Sequence, residues 1–159
     1  MRRLFLLASA LLAFGLAAPA TAQVTLVASA ARTTSSTAAV SVPVELVQSA
    51  IFQLTVSAAA TDAGDTLDVY VQHTVDGGTT WDDFVHFTQV LGNGGAKKFL
   101  ATWNRQVTPE SELKPPADAG LAAGVLQGPV GSTWRVKWVI VDADVDGSFT
   151  FALSMQARR

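Results

Sequence analysis

The chain of 159 residues contains no cysteine. It therefore cannot form a disulfide, offer a thiolate nucleophile or hold a metal through sulfur, three options common in small exported domains and metal sites. Histidine is almost as scarce, with two residues, and there is a single tyrosine. Charged residues are few, the balance is slightly acidic, and the Lys and Arg are scattered rather than clustered. A chain without a basic patch lacks the footprint needed to bind nucleic-acid phosphates. The only long hydrophobic run is at the start, and no later segment offers the roughly 20 apolar residues of a membrane span.

That first run has the anatomy of an export signal. Arg2 and Arg3 form a short basic region, Leu4 to Ala18 is uncharged and apolar, and Ala20-Thr21-Ala22 supplies the small-x-small pattern of a cleavage site. We read residues 1–22 as a signal peptide cut before Gln23. The expected location is the periplasm, cell surface or exterior, with no membrane attachment after cleavage. The remainder is long enough for one domain with its own core.

Past the leader, alternation dominates. Val24 to Ser36, rich in Ala, Thr and Ser, reads as an N-terminal arm or edge strand within 23–36. The sandwich domain is expected over 37–159. Thr37 to Val47 is Val-rich, with Pro43 confining it to an edge or bulge. Ala50 to Ala58 sets Phe52, Leu54 and Val56 against Gln53, Thr55 and Ser57. Thr66 to Val75 sets Leu67, Val69, Val71 and His73 against Asp68, Tyr70, Gln72 and Thr74. Trp81 to Val90 and Lys97 to Trp103 follow. Ser132 to Val141 sets Trp134, Val136, Trp138 and Ile140 against Thr133, Arg135 and Lys137, and Gly147 to Ala157 ends the series with Phe149, Phe151, Leu153 and Met155 on one side. Period-2 segments divided by Asp/Gly turns predict half-buried antiparallel strands. The fold class is all-β: an antiparallel two-sheet β-sandwich or jelly roll of seven to eight strands. The stretch 104–131, with four of the six prolines, is a long loop expected to carry function or cover an edge; Leu121 to Leu126 suits a helical turn or a small extra strand.

Three constellations bear on chemistry. Thr74 to Trp81 reads Thr-Val-Asp-Gly-Gly-Thr-Thr-Trp, which resembles the Asp-box hairpin of sialidase propellers. Asp76, Gly78 and Trp81 then form a structural turn: a carboxylate accepting backbone N–H groups, glycines that take positive φ, and an indole packed beneath. Asp142-Ala143-Asp144-Val145-Asp146-Gly147 places Asp142, Asp144 and Asp146 as alternate carboxylates, the opening of a calcium loop. The twelfth position is Leu153, so an EF-hand is excluded. The competing reading is a solvated acidic hairpin. Asp62 and Asp65 on another loop make a weaker candidate pair. Among the aromatic residues, Trp134 and Trp138 share a face with Val136 and Ile140 and read as core, whereas Trp103 and Tyr70 are the candidates for an exposed, glycan-stacking position.

Catalytic machinery is not evident. His73 lies on an apolar strand face and His86 in another strand, too few for a zinc site. Neither Asp82 with Asp83 nor Glu110 with Glu112 is held across a cleft by any sequence signal. No nucleophile with a base and an orienting group can be assembled. The chain is read as not an enzyme, with no required cofactor and calcium as the one candidate.

Segments Asp65 to Gln72, Val75 to Trp81 and Phe87 to Val90, with Trp134 to Ile140 and Ser148 to Phe151, resemble small β-sandwich proteins of tailed phages and prophages. That resemblance implies a virion decoration, accessory or fibre part, located in the virion. An export leader departs from that pattern, because virion proteins assemble in the cytoplasm. The expectation is therefore a non-catalytic exported structural or interaction module, self-assembling or surface-binding, whose partners are further copies or other surface or virion proteins. The alternatives are a phage virion part and a calcium-supported carbohydrate-binding module with a glycan partner.

Overall fold

The computed structural model describes residues 23–107, 118–144 and 147–159. Residues 1–22, read above as a signal peptide, residues 108–117 of the long loop, with Glu110 and Glu112, and Asp146 lie outside them.

The strands are β1 (Gln23–Arg32), β2 (Ser36–Ala39), β3 (Ser49–Ala58), β4 (Thr66–Thr74), β5 (Asp82–His86), β6 (Val90–Leu91), β7 (Lys97–Asn104), β8 (Gly124–Val125), β9 (Thr133–Val141) and β10 (Phe149–Arg158). One sheet has the order β1-β10-β3-β7. The other runs β2-β9-β4-β5-β8, with β6 also pairing β4. Every pairing is antiparallel. The all-β sandwich expected from alternation is the fold observed.

Strand number exceeds the expected seven to eight because two short pieces, β6 and β8, form where chain returns to a sheet edge. The run from Thr37 to Val47 is strand only over its first residues. It leaves the ladder near Pro43, which has no N–H to donate, and Val44 and Val47 then drop into the core. The run from Trp81 to Val90 splits in two around Phe87, whose N–H still bonds the Val69 carbonyl at 3.0 Å. Among the described residues the one helical element is the short 3-10 turn Gly92–Gly94, and no helix is long and apolar enough to cross a membrane.

Inward-facing side chains of both sheets meet in an aromatic cluster. Phe52 and Trp103 come from the smaller sheet, Phe84 and Trp134 from the larger. Ring centroids are 4.9 Å apart for Phe84–Trp134 and 5.3 Å for Trp103–Trp134, tilted or edge-on as ring quadrupoles prefer. Each buried indole N–H has an acceptor: Trp103 donates to Gly128 O at 3.1 Å and Trp134 to Gly131 O at 2.8 Å. The returning half of the long loop is thereby tied to the core.

Candidate metal centre

Strand register decides which loops meet. Thr66 at the start of β4 pairs with Val141 at the end of β9, and Ala58 at the end of β3 pairs with Thr150 near the start of β10. The β3–β4 and β9–β10 connections therefore leave the same end of the sandwich. Asp65 immediately precedes Thr66 and Asp142 immediately follows Val141, so the two acidic segments are neighbours. Leu91 also pairs with Thr66, which brings Gly92 to the same place.

Asp65 is fully buried there. Its Oδ1 accepts the Ala143 N–H at 2.9 Å, its own N–H donates to Asp62 O at 3.2 Å, and its carbonyl accepts the Gly92 N–H at 2.8 Å. Its Oδ2 has no hydrogen-bond partner among the described residues. A carboxylate oxygen from each of Asp62, Asp65 and Asp144 lies within 4.8 Å of the others, with Asp62 and Asp144 exposed. Two glycines permit this closeness. A Cβ on Gly92 would stand 2.1 Å from Asp62 O, and one on Gly147 would stand 3.2 Å from both Asp142 Oδ1 and Asp65 Cγ.

The acidic set expected within one loop is thus rearranged. Asp144 joins Asp62 and Asp65 from the neighbouring connection. Asp142 instead turns its Oδ1 to the Asp144 N–H at 3.2 Å. The third residue of the expected set, Asp146, lies outside the described residues. The pair first placed as the weaker candidate supplies two of the three converging carboxylates.

The exposure expected for the aromatic candidates is overturned. Trp103 is buried in the aromatic cluster, because it shares strand parity with Phe99 and Ala101 while Lys98, Leu100 and Thr102 face outward. Tyr70 does point to the outer face of the larger sheet, but it is buried and stacked on His86 at 4.1 Å between ring centroids. Neither ring offers a face for a sugar.

No protein-family model, curated protein or solved structure matches this chain.

Residues 118–121 are bonded to the outer face of the larger sheet through Gln72, Asp83 and His86. Asp83, almost wholly buried, accepts the N–H of Ala119 at 3.2 Å, of Gly120 at 2.8 Å and of Leu121 at 3.0 Å. Gln72, fully buried, donates from Nε2 to Asp83 Oδ1 at 2.6 Å and to Asp118 Oδ1 at 2.8 Å, and accepts from Arg135 Nε at 2.6 Å. Asp118 is paired with Arg135 at 3.1 Å and Lys137 at 2.8 Å. Burial pushes the Asp118 carboxyl up, but hydrogen bonds from Lys137 and Gln72 and the two cations outweigh it and hold the group below the usual carboxylate range. Sequence reasoning missed this network, because Gln72 and Arg135 come to lie opposite one another only through the pairing of β4 with β9.

The histidines do not meet on one face. His86 lies with Tyr70 on the outer face, its Nδ1 2.6 Å from Leu121 O and its Nε2 3.0 Å from Asp68 Oδ1. Both partners are acceptors, so both contacts are hydrogen bonds only when both ring nitrogens carry protons. His73 faces inward against Phe84, and its Nδ1 accepts the Gly131 N–H at 3.1 Å. Burial lowers the His73 pKa, with Asp82 pulling weakly the other way. Asp82 and Asp83 have separate surroundings and do not form a carboxylate pair across a cleft.

The Thr74–Trp81 connection closes as a turn around Asp76. Oδ1 accepts the N–H of Thr79 at 3.0 Å and of Thr80 at 2.9 Å, and Oδ2 accepts the Thr80 hydroxyl at 2.7 Å. Gly78 sits at φ 99°, where a side chain is strained, and its carbonyl takes the Trp81 indole N–H at 3.0 Å. Arg135 covers the other side of Trp81 at 4.2 Å from the ring centroid.

Proposed function

We propose that the chain is a non-catalytic, exported structural module that associates with further copies of itself through its four-stranded sheet. The observation that carries this reading is the character of that sheet's outer face. Ile51, Gln53 and Thr55 of β3, Thr150, Ala152 and Ser154 of β10, and Leu100 and Thr102 of β7 all project outward by strand parity. Lys98, opposite Thr55, also projects from this face, and the eight positions named carry no charge. Leu100 is 67 % exposed and Ile51 39 %. Gln53 pairs with Leu100 and Ile51 with Thr102, so the two large apolar side chains are diagonal neighbours on one surface.

The edges support the same reading. The larger sheet ends in β2 of 4 residues and β8 of 2, whereas the smaller ends in β1 of 10 and β7 of 8. Short edges are a common guard against strand pairing between molecules, and long ones invite it. Lys97 and Lys98 protect only the start of β7. The leader supports export, and an assembling part of this kind suits a cell envelope better than a virion, whose parts are not exported.

Multi-angle light scattering of the purified protein tests the proposal. The expected result is a mass that is a multiple of the protomer's, reduced by Leu100→Lys and by Ile51→Lys, both at exposed positions where folding is retained. A strictly monomeric wild type at high concentration overturns it.

A further inference from the structure

We infer that Asp62, Asp65 and Asp144 hold a calcium ion that staples the β3–β4 loop to the β9–β10 loop. The inference is independent of self-association. Two separate observations carry it. Three carboxylates from two loops bring one oxygen each to within 4.8 Å of the others. One of the three, Asp65, is fully buried with Oδ2 facing no donor among the described residues. A buried carboxylate oxygen without a donor is unfavourable on its own, and clustering it with two further acids adds like-charge repulsion. None of the three is paired with Lys, Arg or His among the described residues. A cation on the cluster removes both penalties.

The donor chemistry selects the ion. All donors are oxygen, with no sulfur in the chain and neither histidine at this end, so a hard cation is indicated over zinc or copper. Carboxylates on irregular loops suit calcium, which takes 6–8 oxygens in tolerant geometry. Magnesium demands a near-ideal octahedron and gives up its waters reluctantly. Three aspartates supply up to six carboxylate oxygens, and the two exposed members leave room for water ligands.

Topology gives the ion its effect. β3 and β10 belong to the smaller sheet, β4 and β9 to the larger, so both connections cross between sheets at this end. An ion joining them ties the sheets together, as a disulfide does elsewhere, in a chain that has no cysteine.

The test uses the purified protein stripped with chelator, titrated with calcium chloride by calorimetry and followed by thermal melting. We expect saturable binding with Kd on the order of 10⁻⁴–10⁻³ M, the range of extracellular calcium modules. Saturating calcium should raise Tm by several degrees, and the same concentration of magnesium by less than half as much. Asp144→Asn, at an exposed site, should melt in chelator no lower than wild type and weaken calcium binding at least tenfold. Asp65→Asn retains an acceptor for the Ala143 N–H, so it should melt in chelator no lower than wild type while losing the calcium response. Absence of both binding heat and Tm shift at about 5 mM calcium, well above that affinity range, overturns the inference. So does an Asp144→Asn variant that responds as wild type does.

Discussion

Gln72 donates its amide to Asp83 across 2.6 Å, with both side chains buried on the outer face of a sheet. Outer faces are ordinarily wet. Here Gln72 and Asp83 are buried, and Asp83 also gathers three consecutive N–H groups, of Ala119, Gly120 and Leu121, which ties the returning loop to the face. Below the loop, Gln72 joins Asp83, Asp118 and Arg135 in one network.

Asp83→Ala removes the acceptor of four hydrogen bonds and leaves buried donors without partners. A stability loss of about 3 kcal/mol is expected, the scale for a charged group serving several donors. Chemical denaturation measures it. Limited proteolysis gives the matching structural signature: cleavage within 118–131 should appear in Asp83→Ala before the sheets themselves are cut.

Tyr70 is the single tyrosine, so its titration is free of overlap. Burial, then the negative charges of Asp68 and Asp83, push its hydroxyl up to about 12. The native state holds its proton where the unfolded chain releases it near pH 10. Its contribution to stability is therefore fully present below about pH 10 and lost as pH rises through about 12. Tyrosinate absorbance should show a native midpoint near 12 that returns to about 10 in denaturant. A native midpoint at the free value would mean that the ring is not buried beside His86 in solution.

Acid should act in two stages. Burial lowers the His73 pKa, so the native state keeps His73 neutral while the unfolded chain takes up a proton below about pH 6.5. Stability from this source is present above that pH and is lost as pH falls toward the native value. Asp68 and Asp118 are also lowered: burial opposes ionisation, but His86 and Gln89 hold Asp68 charged, and Lys137 and Gln72 hold Asp118. Their contribution is present above about pH 4 and is lost below it. Denaturation midpoints measured from pH 8 to 3 should decline in both windows, and His73→Gln should flatten the first while leaving the second.

Much of the architecture was legible because alternation is a local signal. Leu67, Val69 and Val71 declared an inner face, and β4 begins and ends within one residue of its expected bounds. Trp103 was also readable, since it shares parity with Phe99 and Ala101, and its burial follows from the same rule that placed Trp134 in the core. Tyr70 is a different case. Its parity does put it on the outer face, and its burial there, stacked on His86, is something no periodicity reports. The acidic cluster has the same logic. Asp142 and Asp144 announce themselves by spacing, whereas the meeting of Asp144 with Asp62 and Asp65 depends on Thr66 pairing with Val141. Strand order across two sheets is a global property, and residues that converge only through it stay hidden in a linear reading.

The Asp76 turn offers a check on a local motif that does not depend on that global order. Its carboxylate is solvent-exposed yet engaged by two backbone N–H groups and the Thr80 and Thr74 hydroxyls. Those contacts, led by the Thr80 N–H, hold the carboxyl well below the usual carboxylate range. Asp76→Ala should lower Tm, and Asp76→Asn should fall between it and wild type, since an amide oxygen accepts some of the same bonds without the charge. Because the carboxyl stays ionised well into acid, the gap between wild type and Asp76→Ala should persist from neutral pH to about pH 4 and close only below it. Equal melting of the alanine variant and wild type at pH 7 would show that the two glycines and the Trp81–Gly78 bond hold the turn without Asp76.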